Sequence, residues 1–242
     1  MYKIKIILPV ATDRYNESVY KEIKGFSLDP RFEFEVESLS HGPISIECEY
    51  DCAIASPHII NVAEQAETDG FHGVVVYCFD DPAVKACKEK LEIPVVGAGE
   101  AGVHYSTLLG KKFSVLMTIK NAITVTREMV ENTVGPGHLA SIRVVDIPVA
   151  KLDSSADKLF EALLASAKDA ICQDHAEALV LGCTGMLGMA EKLQEEISSD
   201  IGAFIPVISP GATALHLVQS LVLLNYRHSG LTFMTPPDKI RK

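Results

Sequence analysis

A chain of 242 residues with 48% hydrophobic and 22% charged residues has the composition of an ordinary globular protein with one large or two small domains. Its net charge of −10 argues against nucleic acid and anionic membranes as partners, because both bind basic surfaces. No stretch approaches the roughly 18 consecutive apolar residues that span a bilayer. The short apolar run at residues 6–10 lacks the cleavage site of a signal peptide, so the sequence predicts a cytoplasmic protein.

The first half of the chain alternates short apolar runs with amphipathic stretches of helical length. This pattern predicts strands over residues 3–10, 32–39 and 73–77 and helices over residues 16–25 and 54–69. The run Gly-Val-Val-Val-Tyr at 73–77 is typical of a strand that is buried on both faces. The βαβα order indicates a parallel sheet with helices on both sides.

The second half of the chain repeats this alternation. Strands are predicted over residues 113–118, 141–147 and 178–182, and helices over residues 119–133, 156–172, 186–197 and 212–226. A polar tail that contains Pro236 and Pro237 follows the last helix. We therefore expect a second parallel sheet of the same kind.

Three features recur in the same order in both halves: an apolar strand that ends in a cysteine, a predicted helix, and an Ile-Pro-Val sequence. The cysteines are Cys78 and Cys183. We interpret the repeat as two similar flavodoxin-like α/β lobes, with parallel sheets related by a pseudo-two-fold axis and an active site in the cleft between them. The expected division is residues 1–98 plus 212–242 for the first lobe and residues 99–211 for the second.

Cys78 and Cys183 are the candidate catalytic residues, because ligands of open parallel α/β sheets bind at the carboxyl ends of the strands. Each is expected to stand directly before a helix, with Asp81 as N-cap and Pro82 as the first helical residue after Cys78. The positive end of a helix favours a thiolate, and such surroundings can move the pKa of a cysteine toward neutrality; the sequence does not give the two thiol pKa values. Two thiols that face each other could remove a proton from one side of a carbon centre and return one to the other. A purely structural role as apolar fillers fits matched positions less well.

The sequence predicts neither a metal site nor a cofactor. The remaining cysteines show no zinc-ligand spacing and are interpreted as buried free thiols: Cys48, Cys52, Cys87 and Cys172. The segment Gly-Ala-Gly-Glu-Ala-Gly at 97–102 has the glycine spacing of a dinucleotide-binding loop, but no acidic ribose partner follows about 20 residues later. Its glycines are better explained by a tight turn from strand to helix.

Three segments resemble the aspartate/glutamate/hydantoin racemase superfamily, and most closely its hydantoin/allantoin racemase branch. Two of them contain the candidate cysteines: Cys-Phe-Asp-Asp-Pro at 78–82 and Leu-Gly-Cys-Thr-Gly-Met at 181–186. The third is Gly-Pro-Ile-Ser-Ile-Glu at 42–47, followed by Tyr-Asp at 50–51 and Ala-Ser-Pro at 55–57. The resemblance extends over nearly the whole chain.

The resemblance implies a cofactor-independent racemase of 5-substituted hydantoins or allantoin, with Cys78 and Cys183 as the two acid/base residues. It also implies a small-molecule substrate and a homo-oligomer. The substrate-binding residues that it transfers to this chain lie in loops at the strand ends: Pro9, Ile44, Phe79, Asp80, Thr118 and Thr184.

Two departures from the family pattern bear on the substrate. The loop at residues 8–12 reads Leu-Pro-Val-Ala-Thr where the family usually has Asn-Pro-Asn, and Asp80 stands where the hydantoin branch has glycine. Acids beside the site disfavour a dicarboxylate, whereas Phe79 and Met186 suit a neutral ring with an apolar substituent. An amino-acid racemase of the aspartate/glutamate type, a single-thiol decarboxylase or isomerase of the same fold, and a nonenzymatic ligand-binding module remain the alternatives.

Overall fold

The computed structural model describes residues 1–152 and 156–239 and contains two four-stranded parallel sheets. The first sheet has the order β2-β1-β3-β4 and is formed by Tyr2–Leu8 (β1), Phe32–Ser38 (β2), Gly73–Val76 (β3) and Val95–Gly97 (β4). The second has the order β6-β5-β7-β8 and is formed by Phe113–Met117 (β5), Leu139–Val144 (β6), Ala178–Leu181 (β7) and Val207–Ile208 (β8). The two orders correspond strand for strand, which confirms the predicted α/β fold with two similar lobes.

The helices that connect these strands are Asn16–Gly25 (α1), Glu49–Thr68 (α2), Val84–Lys90 (α3), Ala98–Leu109 (α4), Ile123–Val134 (α5), Ala156–Cys172 (α6), Met189–Ile201 (α7) and Pro210–Leu223 (α8). Helix α2 begins five residues before its predicted start, and the Asp51 carboxylate in its first turn accepts the backbone N–H of Glu47 in the preceding loop. Helix α8 begins at Pro210 because the preceding Ser209 hydroxyl accepts the backbone N–H of Ala212. In the described part of the chain, no helix has the length and apolar character needed to cross a membrane.

Each sheet is covered on both faces, as the apolar runs in β3 and β7 predict. Helices α2 and α3 pack on one face of the first sheet, and α6 and α7 pack on the corresponding face of the second. Helix α8 follows β8 of the second sheet but packs on β3 and β4 of the first, and α4 follows β4 of the first sheet but packs on β7 and β8 of the second. These crossings support a division near residues 98 and 212, which stays a prediction; residues 240–242 of its last segment lie outside the described residues.

Candidate active site

Cys78 and Cys183 occupy equivalent positions, each two residues beyond the end of an inner strand. The strand hydrogen bonding continues by one residue in both lobes: Tyr77 N–H donates to the Ile7 carbonyl at 2.9 Å, and Gly182 N–H donates to the Leu116 carbonyl at 2.8 Å. The chain then leaves the sheet at the cysteine. Both thiols therefore emerge at the carboxyl edges of their sheets, where parallel α/β folds bind ligands.

The helices that follow the cysteines start later than predicted, at Val84 and Met189. Asp81 does not cap α3; its carboxylate instead accepts the backbone N–H groups of Gly99 at 2.8 Å and Glu100 at 2.6 Å, in the first turn of α4. The prediction that each cysteine stands directly before a helix was wrong. After Cys78 the local capping residue, Asp81, binds the first turn of α4 instead, and after Cys183 the residues 184–188 precede α7. Both thiols lie in loops.

Gly99 allows the loop after Cys78 to lie against α4. A Cβ atom at this position would be 2.0 Å from the backbone oxygen of Phe79 and 3.0 Å from a carboxylate oxygen of Asp81. The glycine-rich segment at 97–102 therefore forms a tight turn from β4 into α4, as the sequence indicates, and its close packing positions the Cys78 loop.

Two neighbouring cavities meet at the cysteines. Residues from both lobes line both cavities: Ile46, Cys78, Val149, Cys183 and Thr184. One cavity is mainly apolar and is completed by residues that include Leu8, Pro9, Val10, Tyr15, Val19, Leu152 and Leu187. The other contains the polar side chains of Glu47, Asp80 and Thr118. The thiols thus lie where an apolar cavity meets a second cavity, which we call the polar cavity after these three side chains, although apolar residues such as Phe79 and Met117 also line it.

Five of the six predicted substrate-binding residues line these cavities. Pro9 lines the apolar cavity, Thr184 lines both, and the polar cavity contains the remaining three: Phe79, Asp80 and Thr118. Ile44 is not brought together with them: it is 67% exposed, and the described residues that line the two cavities do not include it, so its role in substrate binding stays a prediction. Its neighbours Ser45 and Ile46 contribute instead, because Ile46 is the residue that packs into the first lobe's core.

The apolar wall differs from the one expected from the sequence. Met186 belongs to the buried core of the second lobe, and Phe79 lines the polar cavity. Their place is taken by Leu8, the last residue of β1, by Val10, in the loop after β1, and by Val19, on α1. Val149, in a short 3₁₀ helix after β6, was also missed, because its segment lacks a chemical motif.

Burial dominates the electrostatics of the two thiols. It raises the pKa of Cys183 to about 12 and raises the pKa of Cys78 well above its ordinary value of 9.0. The Asp80 carboxylate raises both pKa values further, whereas the backbone N–H groups of Asp80 and Gly185 lower the pKa of Cys78 and Cys183, respectively. Neither pKa moves toward neutrality, since single N–H donors do not offset the desolvation of a buried thiolate.

Asp80 is an acidic residue of the polar cavity, and its charge raises the pKa values of both thiols. Burial, followed by the charge of Glu49, raises the pKa of its carboxyl to about 6. Asp80 is therefore mainly ionised at pH 7 and can accept hydrogen bonds from N–H groups. Glu47, on the same cavity, accepts the backbone N–H of Val149 at 3.2 Å and so links the two lobes across the cleft.

Comparisons with known proteins agree with this architecture. The family model described as Asp/Glu/Hydantoin racemase matches residues 4–218. A hydantoin racemase from Paenarthrobacter aurescens is 34% identical over 202 residues, which cover 83% of each chain. The structure of an allantoin racemase from Klebsiella pneumoniae superposes with a TM-score of 0.91 at 27% identity, covering 100% of this chain and 96% of that one.

A more distant structure shows how far the fold extends. A glutamate racemase from Bacillus anthracis superposes with a TM-score of 0.64 at 16% identity, covering 96% of this chain and 91% of that one, which is a likeness of fold. From the match of the family model and the curated relative, the chain is a racemase that belongs to the Asp/Glu/hydantoin racemase family and falls in its hydantoin/allantoin branch.

Proposed function

We propose that this racemase inverts the C5 centre of 5-substituted hydantoins or of allantoin without a cofactor, using Cys78 and Cys183 as opposed acid/base groups. The observation that carries the proposal is that both cysteines, from equivalent positions in two similar lobes, line the same cavities. A two-base reaction needs such an arrangement, because the proton leaves one face of the carbon and returns to the other.

The reaction consists of two proton transfers. One cysteine, as thiolate, takes the proton from C5, and the electron pair of the C–H bond moves toward the adjacent C4 carbonyl to form an enolate. The other cysteine, as thiol, donates its proton to the opposite face of C5 while the electron pair returns to carbon. The two sulfurs exchange protonation states, so the enzyme is then ready for the opposite enantiomer.

The polar cavity suits the ring of such a substrate. A hydantoin ring carries both N–H donors and carbonyl acceptors. The ionised Asp80 carboxylate can accept a ring N–H, and the Thr118 hydroxyl can donate to a ring oxygen. The Thr184 hydroxyl donates its proton to the Tyr77 carbonyl, so its oxygen remains as an acceptor for a ring N–H. Hydrogen bonds that strengthen as the enolate forms lower the barrier to proton removal.

The apolar cavity suits a substituent at C5. Its wall is formed by aliphatic side chains such as Leu8, Val10 and Leu187, and it adjoins the thiols that would flank C5. The hydantoin racemase relative favours a substituted hydantoin, and the structural likeness to an allantoin racemase favours allantoin. The acids Glu47 and Asp80 disfavour aspartate and glutamate through like-charge repulsion.

The substrate is tested with optically pure compounds. Purified protein is incubated with 5-substituted hydantoins, allantoin, aspartate and glutamate, and optical rotation is followed without added cofactor and after treatment with a chelator. We expect a hydantoin or allantoin to lose its rotation. Unchanged rotation of every hydantoin and of allantoin would refute the substrate assignment, and racemisation of glutamate alone would support the amino-acid alternative.

The two-base mechanism is tested with Cys78→Ser, Cys183→Ser and the control Cys172→Ser; Cys172 is exposed, contrary to the sequence prediction of a buried thiol. In deuterated water, both active-site variants should lose interconversion, and each should retain C5 exchange from one enantiomer only. The control should behave as wild type. A single-thiol enzyme would instead tolerate one of the two active-site substitutions.

Two further predictions concern the protein as a whole. The family resemblance implies a homo-oligomer, which light scattering on the purified protein can measure. The cytoplasmic location predicted from the sequence can be tested by fractionation of the source cells. The proposed two-thiol site depends on neither property.

A further inference from the structure

Glu22 on α1 binds both loops that contain the candidate cysteines. Its Oε2 atom accepts the Tyr77 hydroxyl at 2.8 Å, and its Oε1 atom accepts the backbone N–H of Gly188 at 3.1 Å. Tyr77 directly precedes Cys78 in the first lobe, and Gly188 ends the loop that begins at Cys183 in the second lobe. One carboxylate therefore bridges the two lobes.

A third hydrogen bond closes the network. The Thr184 hydroxyl donates to the backbone carbonyl of Tyr77 at 3.1 Å. Tyr77 is thus connected to the Cys183 loop at two places, directly through its carbonyl and through Glu22 by its hydroxyl. The residue before one cysteine and the residue after the other are joined by a closed ring of contacts.

The position of Tyr77 is set by close packing. Its side chain is 3% exposed, and a Cβ atom at Gly211, in the first turn of α8, would lie 2.2 Å from its hydroxyl oxygen. The hydroxyl therefore has little freedom to leave Glu22. Displacing Tyr77 would move the backbone beside Cys78, and displacing Gly188 would move the loop after Cys183.

An acidic side chain at position 22 has an energetic cost. Burial raises the pKa of Glu22, and the nearby charge of Glu191 raises it further, whereas the hydrogen bonds from Tyr77 and Gly188 lower it. A half-buried carboxylate is tolerated when hydrogen bonds replace its lost hydration. The two donors from different lobes account for an acid at this position on α1.

We propose that Glu22 is a positioning residue that sets the separation of the Cys78 and Cys183 sulfur atoms across the cleft. The inference rests on the proposed two-thiol function. In that mechanism both sulfurs must reach one carbon from opposite faces, and a displacement of about 1 Å can reduce the rate by roughly a hundredfold. Loss of the bridge removes a constraint on both cysteine loops at once.

The kinetic test compares Glu22→Ala with Glu22→Gln. Glutamine can accept the Gly188 N–H with its oxygen and donate to the Tyr77 hydroxyl oxygen with its amide, so it preserves the bridge. We expect Glu22→Ala to lower kcat by about 10- to 100-fold with little change in KM, and Glu22→Gln to restore most of the loss. Glu17→Ala, at an exposed position on the same helix, should leave both parameters unchanged.

A second readout does not depend on racemase activity. Alkylation of each cysteine by iodoacetamide is followed by mass spectrometry, with the exposed Cys172 as internal reference. Glu22→Ala should speed alkylation of Cys78 and Cys183 relative to Cys172, while Glu22→Gln should not. If wild type racemises no substrate but this pattern holds, the positioning role stands and the proposed function falls.

Other results would contradict the positioning role of Glu22. Unchanged relative alkylation rates in a folded Glu22→Ala variant would overturn it, as would a glutamine variant as impaired as alanine. If Glu22→Ala does not fold, Tyr77→Phe removes only the hydroxyl donor. That variant should change kcat and thiol alkylation in the same direction, and wild-type behaviour in both would count against the bridge.

Discussion

Glu47 accepts the backbone N–H of Val149 across the cleft, with 3.2 Å between Oε1 and N. Glu47 follows β2 of the first sheet and Val149 follows β6 of the second, so the bond joins equivalent loops of the two lobes. Ile46 and Val149 line both cavities. The bond therefore holds together two parts of the wall around the thiols.

Glu47→Ala should weaken this wall. The variant removes a charged acceptor, and we expect kcat/KM to fall about tenfold, which corresponds to about 1.4 kcal/mol. Glu47→Gln keeps an oxygen acceptor and should retain most of the activity. Steady-state kinetics of the two variants measure the difference; equal losses would show that the carboxylate charge matters rather than the bond to Val149.

The pH dependence of the thiols provides a second prediction. Because the pKa values of Cys78 and Cys183 are raised above 9.0, the thiolate fraction at neutral pH is small and should increase with pH into the alkaline range. The Asp80 charge contributes to both shifts. Asp80→Asn removes it, so both pKa values should fall and the alkaline rise should move to lower pH.

Thiolate ultraviolet absorbance, measured without substrate, tests this shift separately from any role of Asp80 in binding. Asp69→Asn, at the exposed C-terminal end of α2, serves as the matched control and should leave the titration in place. A titration of Asp80→Asn that coincides with wild type would show that the carboxylate does not act on the thiols. Racemisation rates measured over the same pH range then show whether the shift in thiol pKa values also shifts the pH dependence of catalysis.

Much of the fold could be predicted because its signals are local. The buried runs that become β3 and β7 show their strand character in a few residues, and each ends near a cysteine. The repeat of these runs predicts the second lobe. Since parallel strands bring their carboxyl ends to one edge, the same pattern also predicted that Cys78 and Cys183 would line a common cavity.

The sequence predictions failed where segments distant in the sequence determine the contacts or the burial of a residue. Asp81 has the sequence of a local helix cap, yet its carboxylate binds the first turn of α4. The thiol pKa values depend on burial by both lobes, which a helix-terminus argument does not include. Glu22 and Val149 reach the site through tertiary contacts alone.

Gly99→Ala should displace the Cys78 loop. The added methyl group would lie 2.0 Å from the Phe79 carbonyl oxygen, so either this loop or α4 must shift. We expect the free energy of unfolding to fall by about 1–3 kcal/mol, together with a loss of kcat. Chemical denaturation and steady-state kinetics measure both. At Gly25 an added Cβ meets no described atom within 4 Å, so the control Gly25→Ala should behave as wild type. If Gly99→Ala were as stable and as active as Gly25→Ala, the close packing of Gly99 would not position the Cys78 loop.

The apolar cavity predicts how substrate preference can be changed. Val10 is half-buried on this wall, and Val10→Thr keeps the side-chain shape while placing a hydroxyl where we propose that the C5 substituent binds. For a hydantoin with an isobutyl or benzyl substituent, kcat/KM should fall about tenfold, because the hydroxyl must be desolvated. Allantoin carries a polar ureido group at C5 and should lose much less. Steady-state kinetics with both compounds give the ratio of their kcat/KM values. Val10→Ala serves as the control for lost contact area. An equal effect of Val10→Thr on the two substrates would mean that the C5 substituent does not bind in the apolar cavity.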